Sequence, residues 1–469
     1  MENIFLLLPE IVLSLFALIL LFTDPWAERK NAPVVLNIGL IGVGAALLAL
    51  GHVTGASAFS AGTLWVLDPV AVVFKTIVLV ATFAVLFLSM DYQSLPRKHL
   101  GSFASLALWS AVGMMAITSA VDLLLIFVGL ELVSLSSFIL AGFDRPNLKS
   151  SEGAIKYFLI GAFSSAIMLF GISLFYGATG TTKLLNVLPV STPLFVLSLI
   201  LITVGFGFKV SMVPFHLWVP DAYEGAPTPV TAYLSVAPKV ATLAVMLRIF
   251  TVLIPHAGVH MTGLFTVLCV LTMTVGNLTA IFQDNVKRLL AYSSIAQAGY
   301  MLIGFVVATP LGQQAVVIYS VAYLFMNFGA FAVATVVGER EGSYELSAFD
   351  GMAQRNLGMS LLMVCFLLSL AGIPPLAGFI GKFYIFASAV NAELYWLVLA
   401  GLLNSVVSVY YYLRIAYHMF FVPPSKSAPI HVGFYWSGTL VLAAAGTLLL
   451  GIFPQPFIEY IQLSTKFLP

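Results

Sequence analysis

A chain of 469 residues with 61% hydrophobic and only 8% charged residues cannot cover a water-facing surface, because soluble domains carry about 25% charged residues. A formal net charge of +1 and the lack of any basic block argue against a nucleic-acid partner. Long apolar runs, rather than short alternating ones, point to an all-α polytopic membrane protein embedded in a lipid bilayer.

Runs of about 20 apolar residues read as spans. In chain order they fall at 4–23, 33–51, 69–90, 100–119, 121–141, 153–177, 193–213 with a continuation to 224, 228–253, 261–283, 286–309, 313–338, 357–390, 394–421 and 433–453. About fourteen transmembrane helices are expected. The N-terminus, Met1-Glu2-Asn3, lacks the positive region of a cleavable signal peptide, so the first run reads as a retained span. Cys269 and Cys365 both lie inside apolar runs. No Cys cluster, Rossmann fingerprint or P-loop is present, so the chain is expected to hold no redox cofactor and no metal.

Lys and Arg test the count, since they gather in cytoplasmic loops. Placing the first loop on that side collects Arg29, Lys30, Arg97, Lys98, Arg145, Lys149, Lys287, Arg288, Arg340, Arg355 and Lys426. The other side receives Lys183 and Lys466. Both termini are therefore expected to face the periplasm. Short termini and the absence of a targeting sequence point to a bacterial inner membrane.

Seven basic residues remain inside spans. Lys75, Lys156, Arg248 and Arg414 lie near span ends, where long side chains snorkel to the interface. Lys209, Lys239 and Lys382 lie too deep for that, and a charge at the bilayer centre costs about 2.5–3.5 kcal/mol even on lenient insertion scales. Each also sits near prolines. Segment seven reads Lys209-Val-Ser-Met-Val-Pro214-Phe-His216, segment eight has Pro238 before Lys239, and segment twelve carries Gly372-Ile-Pro374-Pro375 ahead of Lys382. Proline frees backbone groups in a helix, and at membrane depth freed groups are tolerated in a protein interior or beside water. Segments seven and twelve are accordingly expected to be discontinuous, as in inverted-repeat transporters.

A carboxylate, Glu131, lies inside segment five. Desolvation disfavours a charged lysine and a nearby carboxylate favours it. A Glu131–Lys209 pair whose contact changes would thus act as a proton switch, with Lys239 next in line and Lys382 passing the proton onward. His216 is a candidate relay, and Ser134, Ser211, Tyr233, Ser235, Tyr300 and Tyr323 are weaker ones, because polar side chains also hold membrane helices together. Glu10 near a span end reads as structural. Asp122 and Asp284 read as helix starts, and Asp221 and Glu224 as loop carboxylates or proton collectors.

The run from Lys209 to Val230, KVSMVPFHLWVPDAYEGAPTPV, with Ala237-Pro238-Lys239 beyond it, closely resembles the antiporter-like membrane subunits of respiratory complex I. So does DNVKRLLAYSSIAQAGY from Asp284 to Tyr300. The likeness spans nearly the whole chain. A lysine at 382 after Gly-Ile-Pro-Pro-Leu-Ala-Gly-Phe resembles the N and L branches rather than M, and the chain stops without the long lateral helix of L, which favours the N branch.

The resemblance implies helices 1–3 in residues 1–99, two inverted five-helix repeats in 100–253 (helices 4–8) and 261–421 (helices 9–13), and helix 14 in 433–453. It implies Glu131 as the essential glutamate, Lys209 as its partner, Lys239 as the connecting lysine and Lys382 as the terminal one. Implied partners are the antiporter-like subunit M, small subunits such as K and J, and a peripheral arm holding FMN and iron–sulfur clusters, with NADH and quinone bound elsewhere. Alternative readings are a subunit of a multisubunit cation/proton antiporter or membrane-bound hydrogenase, and a passive membrane scaffold.

Overall fold

The computed structural model describes residues 5–23, 32–56, 64–184, 192–257, 259–424 and 426–465. Arg29, Lys30 and Lys466 of the charge count lie outside them. The helices are α1 (Leu8–Thr23), α2 (Ala32–Ala56), α3 (Pro69–Ser89), α4 (Leu100–Ser119), α5 (Leu123–Ala141), α6 (Leu148–Thr179), α7a (Pro193–Val210), α7b (Val219–Gly225), α8 (Thr228–Ala257), α9 (Val259–Ile281), α10 (Val286–Val307), α11 (Pro310–Glu341), α12a (Leu357–Ala371), α12b (Ala377–Asn391), α13 (Tyr395–Phe421), α14 (Phe434–Ile452) and α15 (Gln455–Thr465). Among the described residues, twelve are long and apolar enough to cross a membrane. The shorter α1 and the split α12a–α12b supply the other two expected spans. The short helix α15, which packs on α3 and α11, was not expected.

Local chemistry sets the helix starts. Asp68, Asp122, Asn147, Thr192, Asn285, Thr309 and Asn356 each accept from a backbone N–H of the first turn, which satisfies donors that the helix itself cannot. Asp122 is thus the expected helix start. Asp284 is not: Asn285 caps α10, and Asp284 pairs with Arg414 of α13 instead.

The prolines do break segments seven and twelve. α7a stops at Val210, with Ser211 in the left-handed region at φ 71°. Its loose carbonyls find new donors: Met212 N–H reaches Gly207 O at 2.7 Å, and Trp218 Nε1–H reaches Phe208 O at 3.1 Å. α12a stops at Gly372, φ 89°. Packing recurs five helices on: α4 lies on α5 as α9 lies on α10, and α6 packs on both halves of α7 as α11 packs on both halves of α12. The most deeply buried spans are α8, α10 and α11, and these carry or contact the central lysines.

Candidate proton-transfer site

Lys209 occupies the last turn of α7a and is 2% exposed. Its ammonium donates to the Tyr157 hydroxyl of α6 at 3.2 Å and lies 5.3–5.6 Å from the ring centres of Phe138, Tyr157 and Phe208. Such rings attract a desolvated cation. Trp218, in the break, stacks flat on Tyr157 with centroids 3.9 Å apart. The cage is thus built from α5, α6, α7a and the break itself.

Glu131 is not in this cage. Its carboxylate accepts from Ser165 of α6, and among the described residues no ion pair joins it to Lys209. Tyr157 and Ser165 are eight residues apart on α6, about 12 Å along the axis. One helix therefore holds the two expected partners apart, each on a neutral hydroxyl.

Lys239 of α8 is fully buried and donates to the carbonyl and hydroxyl of Ser294 on α10, at 3.2 and 2.9 Å. The Tyr223 ring of α7b lies 5.6 Å from it. Lys382 of α12b reaches back across the break to the carbonyl of Ala371, the last residue of α12a, at 3.0 Å, and to Ser405 Oγ of α13 at 3.2 Å. A helix C-terminus favours a cation in this position. The Tyr300 ring centre is 4.4 Å away, and a largely apolar cavity of about 520 Å³ between α12b and α13 touches Lys382, Ser405 and Asn391.

His216 lies in the first break, 8% exposed, and its Nδ1 has no protein partner. Among the described residues, no hydrogen bond joins its side chain to a lysine. Ser134 bonds its own helix at Leu130 O. Ser211 Oγ is unpartnered. Tyr233 donates to Ala107 O, Tyr323 to Ser235 O, and Ser235 Oγ accepts from Asn327.

Sequence reasoning missed the polar links between Lys239 and Lys382. Gln297 of α10 donates to Leu370 O at 2.9 Å and Tyr412 Oη at 3.0 Å, and accepts from Tyr319. Ser293, beside the Ser294 that holds Lys239, bonds Tyr412. Asn277 of α9 donates to Tyr300 Oη at 3.1 Å and accepts from Tyr411 at 2.8 Å. The available signal was chemical: an amide side chain deep in an apolar helix must find partners there.

The other buried charges sort differently from expectation. Lys75 and Arg248 do not snorkel. Lys75 is fully buried with its Nζ 2.7 Å from Glu10, and Arg248 forms a two-pronged bond to Asp68 at 2.6 and 2.8 Å. Lys156 and Arg414 do reach the rim, in ion pairs with Glu152, Asp221 and Asp284. Lys287, counted as a loop residue, is 2% exposed and donates to Ala226 O at 2.6 Å. Asp221 and Glu224 anchor α7b: Arg288 bridges them, with Lys156 on the first and Lys149 on the second. Burial alone would raise both carboxyls, but these cations hold them below the usual carboxylate range. Among the described residues, no group of three or more His, Cys, Asp or Glu could hold a metal ion.

Residues 120–408 match the family model described as NADH:quinone oxidoreductase/Mrp antiporter, TM. The chain is 42% identical to NADH-quinone oxidoreductase subunit N of Trichlorobacter lovleyi, over 99% of this chain and 97% of that one. It is 37% identical to F(420)H(2) dehydrogenase subunit N of Methanosarcina mazei, over 98% of each. Among solved structures it is similar to a chain of respiratory complex I from Thermus thermophilus with bound aureothin, with TM-score 0.84 and 33% identity, covering 96% of this chain and 98% of that one.

Proposed function

The chain belongs to the NADH:quinone oxidoreductase/Mrp antiporter transmembrane family, and from that premise we propose that it is the antiporter-like, proton-translocating membrane subunit of an NADH–quinone oxidoreductase. Quinone reduction elsewhere in the complex would drive proton transfer through it. One observation carries the reading. Three buried lysines each rest on a neutral oxygen, and hydrogen-bonded side chains run from Ser293, beside the Ser294 that holds Lys239, through Tyr412 and Gln297 to Leu370 O, next to the Ala371 carbonyl that holds Lys382. A neutral acceptor leaves an ammonium free to give up its proton, whereas a bound carboxylate would hold it.

Glu131, Lys209, Lys239 and Lys382 are the proton-transfer groups in this reading, with His216 as a relay. When Glu131 approaches Lys209 the lysine keeps its proton; in the arrangement seen, with Glu131 on Ser165, it is poised to release it. Among the described residues, Ser211 Oγ, His216 Nδ1 and Asn327 Oδ1 lack protein partners, and water at these atoms would complete the path, since buried polar groups are otherwise costly. Residues 100–253 and 261–421 form the two inverted repeats, supported by the packing that recurs five helices on. Residues 1–99 and 433–453 flank them. The termini face the periplasm of a bacterial inner membrane, subunits M, K and J and a peripheral arm are the partners, and FMN and iron–sulfur clusters belong to that arm.

The test is Lys209→Met in the assembled complex, reconstituted in liposomes. Proton movement per NADH oxidised should fall while NADH oxidation persists in uncoupled vesicles. An unchanged ratio would make the chain a passive scaffold. The family description also covers Mrp antiporters, so sodium uptake without quinone reduction would favour a cation/proton antiporter instead.

A further inference from the structure

Two buried ion pairs lie about two turns apart near the start of α3, and they differ in a way that matters. Asp68 and Arg248 satisfy each other fully: the carboxylate accepts both guanidinium prongs and the Ala71 N–H, and Arg248 Nε donates to Thr118 O at 3.2 Å. Arginine does not release its proton, so this pair is a fixed clamp. Glu10 of α1 and Lys75 of α3 are also deeply buried, at 6% and 0% exposure, yet among the described residues neither side chain has a hydrogen-bond partner beyond their 2.7 Å contact. An ammonium has three donors and a carboxylate about four acceptor sites. A buried pair left so incomplete is no more stable than an apolar pair of similar size. Stability does not account for it.

Its surroundings are also unfinished. The Trp65 ring lies 5.6 Å from Lys75 Nζ, and among the described residues buried Trp65 Nε1 has no partner, nor does Ser119 Oγ in the segment that pairs with residues 65 and 66. Two turns inward along α3, the Thr82 hydroxyl, which donates to Val78 O at 2.7 Å, lies 3.4 Å from Tyr233 Oη, and Ser110 lies beside that tyrosine. Tyr233 is on α8, six residues before Lys239. Unpartnered buried polar atoms collect ordered water, and water at this cluster would link the Trp65 end of the bundle to Tyr233 and the central line.

We propose that Glu10 and Lys75 form a second proton-exchanging pair, joining the central lysines to the face of the protein that carries Trp65 and the α4–α5 turn. The proposal rests on the proton-translocating reading above. In one cycle Lys75 passes a proton to Glu10, leaving an amine and a carboxylic acid. The acid gives its proton to water at that face, and the amine takes one from water on the Tyr233 side. One proton enters, one leaves, and both groups return to their starting charge.

Lys75→Arg tests this in the whole complex in liposomes, because arginine keeps the charge and the ion pair but holds its proton. Proton movement per NADH oxidised should fall to the value given by Lys209→Met. The double variant Glu10→Leu/Lys75→Met leaves no charge unpaired and should assemble with the same lowered ratio. A ratio equal to that of the unmodified complex in either assembled variant, with Lys209→Met lowered, overturns the second pair and leaves the main reading intact. If Lys209→Met is itself without effect, both fall.

Discussion

Lys382 and Gln297 bind neighbouring carbonyls at the open end of half-helix α12a: the lysine takes Ala371 O and the glutamine takes Leu370 O. A broken helix at membrane depth exposes its last carbonyls, and these two side chains close them. The same Gln297 also meets Tyr319 and Tyr412, so the residue that seals the break is a junction of the polar line.

Gln297→Leu should therefore cost both stability and proton movement. It orphans Leu370 O and removes a partner of two phenols, and a buried unsatisfied group costs about 1–3 kcal/mol. Thermal melting of the purified complex in detergent, with proton movement per NADH, checks both effects. A variant matching the unmodified complex in both would show the junction to be dispensable.

Tyr157→Phe removes the one hydrogen-bond acceptor seen for the Lys209 ammonium. The orphaned charge should lower stability by about 1–3 kcal/mol. Adding Lys209→Met should recover most of that loss, since removing both partners is close to neutral. Additive losses in the double variant would show that the two groups do not interact.

Gly378→Ala should wreck the second break. A Cβ at Gly378 would run into the backbone oxygen of Ser369, which cannot swing aside as a flexible side chain would. Overpacking of this kind costs about 1–3 kcal/mol and sometimes more. The amount of assembled complex in membranes is the readout, with Gly177→Ala, which meets nothing nearby, as the tolerated control.

The α7b anchor predicts a pH dependence. Asp221 and Glu224 are held below their ordinary range in the folded chain. A carboxyl depressed in the native state contributes stability above its unfolded value, about 4, and loses it as pH falls through the folded one. The melting temperature should exceed that of Arg288→Gln by a constant margin above about pH 5 and converge with it at lower pH. A margin that grew on acidification would refute the assignment.

Spans, breaks and central lysines were legible because each is a local property: apolar length, proline position, a charge too deep to snorkel. Contacts between helices were not. Nothing in the neighbourhood of Glu131 says that Ser165 will hold it, because that depends on how α5 packs on α6. Lys75 and Arg248 looked like snorkelling cations because depth was judged along one helix, while their acids, Glu10 and Asp68, come from elsewhere in the chain. Lys287 was misplaced for the same reason, covered by the turn after α7b.

The breaks in α7 and α12 set their lysines well inside the bundle, and Lys239 lies between them in sequence on an unbroken helix. Movement from one to the next would run largely sideways, parallel to the lipid surface. The transmembrane voltage, worth about 2.3 kcal/mol per charge for each 100 mV, then weighs little on that sideways travel. It bears instead on the short climbs to either face, and those are the steps that an opposing voltage should slow first.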